Sequence, residues 1–544
     1  MNPLIIVIVA LTLFFLAYRF YAKKLEDIWQ IDPKRDTPAF TKYDKVDYIP
    51  AKNWLVLFGH HFASIAGAAP IIGPVIAVML WGWLPALLWV VFGTIFIGGV
   101  HDFGSLITSV REGGSSVAEI AQHAISHRAK IIFSLFVWLA LILVISVFVY
   151  LCAETFVKEP KIVLPSLGLI PVAIITGSLL YHLRVNTMLA TIFGLVSLIG
   201  LVALGNVLPI NGNIKLWLLI LLAYSCFASI TPVNILLQPR DYLSSFLLFF
   251  GMGVGYLGLF LSRPQIIMSH YQNWTATEGC LWPMLFVTIA CGAISGFHSL
   301  IASGTTSKQL ANERYTRRIG YGGMVAEGAV ALLAVIAVAI LFKPGDDFGA
   351  VLKTMGPISI FGKGYGLITK AILGNYGPFI AITILNAFIL TTLDTATRIA
   401  RYVTEELFRI KNRYLSTLLI IILSAGLAFS GRWNKIWPAF GAANQLVAAL
   451  ALFVVSCWLL AKNKNTKFTL IPAFFMLITT VAALIYQSVK YFKHKDTILF
   501  IITISLIVLG GFMVYEVINT IIKKRKYVKY LKKPIKTISR ISES

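Results

Sequence analysis

Charge is what this sequence has least of: Asp, Glu, Lys and Arg make up 13% of its 544 residues, and only 23 residues are acidic. Soluble domains carry about 25% charged residues, so a water-soluble globular fold is excluded. Cysteine is also scarce. Cys152, Cys226, Cys280, Cys291 and Cys457 show no C-x-x-C spacing and lie in or beside apolar runs, so they read as small buried hydrophobes; a Cys152 to Cys280 disulfide near the outer face is the alternative. There is no Walker loop, no dinucleotide fingerprint after a strand and no G-x-S-x-G elbow, which argues against an ATP-driven pump or an enzyme, and no cofactor is expected. Residues 3–20 lack a basic flank and a small-residue cleavage site, so they read as a retained first helix rather than a signal peptide.

What the chain does have is apolar sequence: 58% of its residues, with a mean hydropathy of +0.81. Apolar stretches bounded by charge, Pro and Gly fall near 3–20, 54–80, 84–109, 131–152, 165–181, 187–208, 216–235, 242–261, 281–304, 321–342, 376–393, 414–429, 436–460, 468–486 and 498–519. Fifteen spans predict an all-α polytopic membrane protein. An odd count puts the termini on opposite sides, and Lys and Arg choose the orientation: 33 fall in segments that are inside if the N-terminus is outside, against 13 in the alternate segments. The expectation is therefore a multi-pass protein of the cell (inner) membrane with its N-terminus outside and its C-terminus cytoplasmic. The net charge of +24 is then explained by anionic membrane lipid facing the basic tail, and nucleic acid is not needed as a partner.

Two spans carry helix-breaking residues. The second contains Gly67-Ala-Ala-Pro70-Ile-Ile-Gly73-Pro74, and the seventh contains Ser229-Ile-Thr231-Pro232-Val-Asn234. Proline removes a backbone donor and glycine permits unwinding, and unpaired backbone inside a membrane is tolerated only where it lines a cavity or is buried in protein. Phe62-Ala-Ser-Ile65 precedes the first and Phe227-Ala-Ser-Ile230 the second. Counting from break to break gives five spans, an odd number, so two units of opposite topology are expected, the arrangement that marks a secondary transporter's binding site. The expected organisation is a first helix and basic linker over 1–53, repeats over 54–208 and 209–395, extra helices over 396–519 and a basic tail over 520–544. Ordinary proline kinks are the competing explanation.

Ionisable groups inside a span are costly and are usually paired. His60 and His61 on the second span, and His101 and Asp102 on the third, lie towards the same side. They form a satisfied structural network, a proton relay or a metal site; the last is hindered because adjacent histidines point about 100° apart on a helix. The ninth span carries His298, Ser299, Ser303 and Thr305, which either contact solute and cation or glue helices together. Asp394 and Arg398 lie four apart on the eleventh and can pair on one helix face. The candidate solute-binding set is Ser64, Gly67, Pro70, Gly73, Ser229, Thr231, Asn234, His298 and Ser299. The candidate proton or cation set is His60, His61, His101, Asp102, Ser303, Thr305 and Asp394, and no metal ligand is assigned.

These residues sit in motifs that closely resemble those of the carbon starvation protein A family of membrane transporters: Gly59-His-His-Phe-Ala-Ser-Ile-Ala-Gly67, Val100-His-Asp-Phe103, Pro239-Arg-Asp-Tyr242, Ser295-Gly-Phe-His-Ser299, Leu393-Asp-Thr395 and Trp437-Pro-Ala-Phe-Gly441 with Asn444-Gln445. The resemblance, over roughly residues 45 to 460, implies a carrier that scavenges peptides or pyruvate under carbon limitation. It also implies kinship with the amino acid–polyamine–organocation superfamily, whose two inverted five-helix repeats begin with broken helices. By that analogy a cation lies between the Ala63 to Gly67 carbonyls and Ser303 or Thr305. The leading expectation is a secondary active importer of a small carboxylate-bearing nutrient, coupled to protons through His101 and Asp102 or to sodium. A passive channel and a membrane-embedded metalloenzyme or sensor are the rivals.

Overall fold

Asparagine begins many of the helices. In the computed structural model, which describes residues 2–183 and 185–531, with side chains to Lys523 in the last helix, the side chains of Asn2, Asn53, Asn186, Asn213 and Asn412 each accept a hydrogen bond from a first-turn amide. Each stands where a charged or polar connector meets an apolar run, so the cap satisfies an amide that lipid could not.

The helices are α1 (Pro3–Trp29), α2 (Trp54–Ile65) and α3 (Ala69–Trp81), α4 (Trp83–Arg111), the short α5 (Val117–Ala124), α6 (His127–Lys158), α7 (Pro160–His182), α8 (Thr187–Val207), α9 (Ile214–Ile230) and α10 (Leu237–Ser262). They continue with α11 (Leu281–Thr288) and α12 (Gly296–Gly304), α13 (Glu313–Ala339), α14 (Phe348–Leu373), α15 (Gly377–Phe408), α16 (Arg413–Ala428), α17 (Trp433–Ala461), α18 (Lys467–Lys493) and α19 (Thr497–Leu531). Among the described residues the strands are two residues each, Thr275–Ala276 paired antiparallel with Gly279–Cys280 in the loop before α11. The protein is thus an all-α polytopic membrane protein. The basic tail beyond residue 531 lies outside the described residues.

Among the described residues eleven helical stretches meet the length and apolarity of a membrane crossing, and the bent pair α2–α3 makes a twelfth. The expected fifteen are reached only by adding the short α9 and α16 and the broken α11–α12. The sequence reading also missed α14, whose Lys353, Lys363 and Lys370 hide it from a hydropathy search. Its position explains why a charged helix is tolerated. Gly364 closes on the Ala337 carbonyl near the end of α13, Ile368 on Gly258 near the end of α10, and Gly366 on Pro378 at the start of α15. All three lie towards one end of the helices they touch, and the Tyr365 hydroxyl reaches the Gly251 carbonyl midway along α10, while the three lysines of α14 stay exposed.

The centre belongs to α17, buried over 94% of its apolar window, whereas α1 and α8 are buried over 22% of theirs. The outer helices expose Ile5, Ile8, Met188, Ile199 and Ile478. Apolar residues facing outwards over a polar-lined centre are what a hydrocarbon surround demands.

Candidate transport site

The expected break in the second span is present. Helix α2 stops at Ile65, Ala66 leaves the helical region (φ −77°, ψ 52°), and α3 restarts at Ala69 with a 40° bend. The second break is elsewhere than expected. The Ser229 to Asn234 stretch is the turn between α9 and α10, where Pro232 merely follows a completed helix. The interruption inside a span falls at 289–295, between α11 and α12, with Gly292 at φ +84°. No proline marks it, so a search for proline passed over Cys291-Gly292 and Ser295-Gly296.

The two breaks touch. A Cβ on Gly73 would stand 2.5 Å from the Thr288 carbonyl, and one on Gly292 would stand 3.4 Å from the Pro70 Cα. Unwound backbone in a dry interior needs partners, and side chains from three helices supply them. Asn444 on α17 accepts from the Phe297 amide at 2.8 Å and donates to the Ala290 carbonyl at 3.0 Å. Its neighbour Gln445 donates to the Phe286 and Ile289 carbonyls. Glu327 on α13 accepts from the Gly292 amide at 3.0 Å, while Thr94 on α4 donates to the Gly292 carbonyl at 2.9 Å.

Between the breaks is a closed void of about 10 Å³ for water centres, room for one water. It is lined by Ile65, Gly67 and Ala69 of the first break, Cys291 and Phe297 of the second, Val144 and Phe148 of α6, Thr392 of α15, and Phe440 and Asn444 of α17. A larger cavity of about 370 Å³ is bounded by Tyr48, Glu119, Ser303, Lys308, Tyr402 and Glu405, with the Lys308 ammonium 4.4 Å from the Tyr402 ring centre.

Two buried ionisable networks flank the breaks. In the first, Asp102 on α4 bonds His101 Nδ1 at 2.7 Å and His298 Nδ1, on α12, at 2.8 Å, and His298 Nε2 stands 3.1 Å from the Glu327 carboxylate. The chain of groups thus ends on the second break. In the second, His60 on α2 bonds Asp241 on α10 at 2.8 Å, and Arg240 pairs with Asp241 at 3.1 Å and with Asp394 on α15. Tyr224 donates to Asp394 at 2.6 Å.

The expected site residues therefore divide. Gly67 lines the void, while Pro70 and Gly73 pack on the second break. Ser64 joins the second network, 3.4 Å from Asp241 and 3.3 Å from Thr395. His298 is present, but in the ionisable chain. Ser299, Ser303 and Thr305 hydrogen bond to carbonyls of their own helix, though Ser303 also borders the larger cavity. Ser229, Thr231 and Asn234 are not at the void: Arg398 donates to the Ala228 and Thr231 carbonyls beside them. Asp394 pairs with Arg240 rather than with Arg398, whose carboxylate partner is Asp47 at 3.1 Å. His60, His61 and the His101–Asp102 pair have different hydrogen-bond partners: His61 bonds Thr306 at 2.8 Å while His60 turns to Asp241, because neighbours on a helix diverge. Cys152 and Cys280 are not disulfide-linked. Glu327, Cys291, Thr392, Tyr224 and Gln445 were not in the expected set. Glu327, the sole carboxylate inside an apolar run of α13, was visible as such.

Two interrupted helices in contact, a closed void between them and buried ionisable chains on either side define a membrane transporter of the broken-helix class. Its particular family follows from its relatives. The family profile described as "Carbon starvation protein CstA" matches residues 2–349 and 346–483, and the chain belongs to this family. It is 31% identical to the "Peptide transporter CstA" of Campylobacter jejuni, over 90% of this chain and 81% of that one. It is 30% identical to the "Pyruvate/proton symporter BtsT" of Escherichia coli, over 89% and 81%. Among solved structures, a manganese transporter of Eremococcus coleocola shares the fold, with a TM-score of 0.56 at 14% identity, covering 89% of this chain and 99% of that one.

Proposed function

We propose that this protein is a proton-coupled importer of a small carboxylate-bearing nutrient, a short peptide or pyruvate, working in the inner membrane with its N-terminus outside. The observation that carries this reading is the contact between the two breaks, with an ionisable chain running from it. The solute site is the void, opened to size. The start of α3 has no side-chain cap, so the Ala68 and Ala69 amides and the helix dipole suit a carboxylate without any lysine or arginine. With the second break in α11–α12, seven spans rather than five run from break to break, an odd number that still gives the two broken helices opposite directions.

The coupling path is His101, Asp102, His298 and Glu327. Asp102 holds the Nδ1 proton of His298, so a proton arriving at Nε2 or at Glu327 changes the charge beside the Gly292 amide and hence the break itself. A relative named as a pyruvate/proton symporter supports protons over sodium. A passive channel would need a continuous aqueous path, and the closed void interrupts it.

The test is uptake of labelled pyruvate and of a labelled dipeptide into proteoliposomes, with and without an inward proton gradient, for the wild type and Asp102→Asn. Gradient-driven accumulation that is lost in the variant supports the reading. Accumulation unchanged in Asp102→Asn, or flux that only equilibrates, overturns it.

A further inference from the structure

Cys291, His298 and Glu327 form a group that the transport reading does not account for as a set. One ligand atom from each lies within 4.8 Å of the others. His298 Nε2 is 4.0 Å from Cys291 Sγ and 3.1 Å from Glu327 Oε2, and all three residues are buried. Zinc–ligand bonds of about 2.0–2.3 Å at tetrahedral angles put ligand atoms roughly 3.3–3.6 Å apart, so the imidazole nitrogen lies within about half an ångström of the spacing a metal sets to both the sulfur and the carboxylate oxygen.

The hydrogen bonding suits a cation here. Asp102 accepts at His298 Nδ1, so the neutral imidazole presents a lone pair at Nε2, while the imidazolium carries a proton there towards Glu327. Glu327 uses Oε1 on the Gly292 amide, and no hydrogen-bond donor is directed at its Oε2. In the neutral form a lone pair faces a carboxylate oxygen across 3.1 Å, with a sulfur alongside, so a proton or a metal ion is wanted between them. Asp102 also meets the second requirement of such a site, a carboxylate that orients the ligating imidazole and raises its basicity. Asn444 Nδ2, 3.9 Å from the sulfur, is a donor suited to a thiolate.

We propose that Cys291, His298 and Glu327 bind a soft divalent cation, Zn²⁺ or its analogue Co²⁺, in competition with protons. Thiolate and imidazole select zinc and cobalt over Mg²⁺, Ca²⁺ and Mn²⁺. Three protein ligands leave a fourth position open, the pattern of an exchangeable rather than a structural site. The manganese transporter sharing the fold lends nothing to this assignment, which rests on these side chains alone. It is also independent of the solute: the site can exist whether or not the transport reading holds, and binding is measured without solute or gradient.

The experiment uses the full chain in detergent, stripped with a chelator, with Cys226 and Cys280 changed to serine because they are only partly buried. Co²⁺ is titrated and the thiolate-to-cobalt charge-transfer absorption followed, then Zn²⁺ is added. One Co²⁺ per chain, displaced by Zn²⁺, with the band lost in Cys291→Ser and kept in Cys152→Ser, is the expected result. Glu327→Gln keeps the band and weakens binding at least tenfold. The absence of a saturable band, or a band that survives Cys291→Ser, overturns the proposal. If Cys291→Ser does not fold, as judged by size-exclusion chromatography, the Glu327→Gln titration decides, and an unchanged affinity overturns it.

Discussion

Replacing Gly73 with alanine adds one methyl group at the place where the two breaks meet. Its Cβ would lie 2.5 Å from the Thr288 carbonyl oxygen and 3.2 Å from the Ile289 Cα. Both are backbone atoms, so no rotamer change relieves the clash; ordinary contact begins at 3.4 Å, and α3 must withdraw from the second break by about 0.9 Å. Overpacking of this kind costs about 1–3 kcal/mol, and a misplacement near 1 Å in a positioned site costs about a hundredfold in rate. Gly73→Ala is therefore expected to lower gradient-driven uptake at least tenfold in proteoliposomes while the protein still purifies as a folded species with a reduced melting temperature. Gly200→Ala, in α8 with nothing within 4 Å of the added Cβ, is the control; it should transport normally and gain about 0.5–1 kcal/mol from helix propensity. Wild-type uptake by Gly73→Ala would refute the claim that the two breaks are in contact in the working protein.

Arg240→Gln leaves Asp394 and Asp241 buried without their guanidinium, and loss of one partner of a buried pair costs about 3–5 kcal/mol; thermal unfolding in detergent should show the loss, and the double variant Arg240→Gln/Asp394→Asn should recover part of it. Asp47, in the linker before α2, is buried enough to raise its pKa, yet Arg398, Lys308 and the Tyr402 hydroxyl outweigh burial and hold the carboxyl below its ordinary value. A lowered folded value means that the stabilisation is complete above the unfolded pKa of about 4 and is lost as pH falls through the folded one. Asp47→Asn should therefore cost about 1–3 kcal/mol near pH 7, and the difference from wild type should shrink below about pH 4, as read by melting curves across pH.

The membrane class and most helices were legible because hydropathy and Lys/Arg placement act over tens of residues. The first break was legible because Gly67 and Pro70 remove backbone constraints locally. The second was not, since glycine without proline is common in membrane helices and only the partners reveal unwinding: Asn444 and Gln445 are more than 140 residues from the amides and carbonyls they satisfy. The pairing of Asp394 followed the same rule. An i,i+4 arginine was visible in sequence, but the side chain turns inwards to Arg240, 154 residues away, because a buried carboxylate takes the nearest desolvated cation rather than one that Asp47 already holds. Helix α14 was lost for the opposite reason: Lys353, Lys363 and Lys370 interrupt its apolar pattern, and they are tolerated because all three are exposed.

The two networks differ in which helices they join, and this fixes what must break during transport. His101, Asp102, His298 and Glu327 link α4, α12 and α13, and α4 and α13 also hold the second break through Thr94 and Glu327. His60 and Ser64 instead tie α2 to α10 and α15, through Asp241 and Thr395. If the broken helices rock together with α4 and α13 against the rest, the first network travels as a body and the second must part. The Ser64 and Thr395 hydroxyls are 3.3 Å apart, close enough for a pair of cysteines there to be tested for a crosslink. Ser64→Cys/Thr395→Cys should therefore lose uptake on oxidation and regain it on reduction. The Ser456→Cys/Thr469→Cys pair, 2.7 Å apart between α17 and α18, should crosslink without loss if α18 moves together with α17. Full uptake by the oxidised Ser64/Thr395 pair would mean that α2 and α15 keep one relation throughout the cycle, and the opening of the void would then have to come from the second break alone.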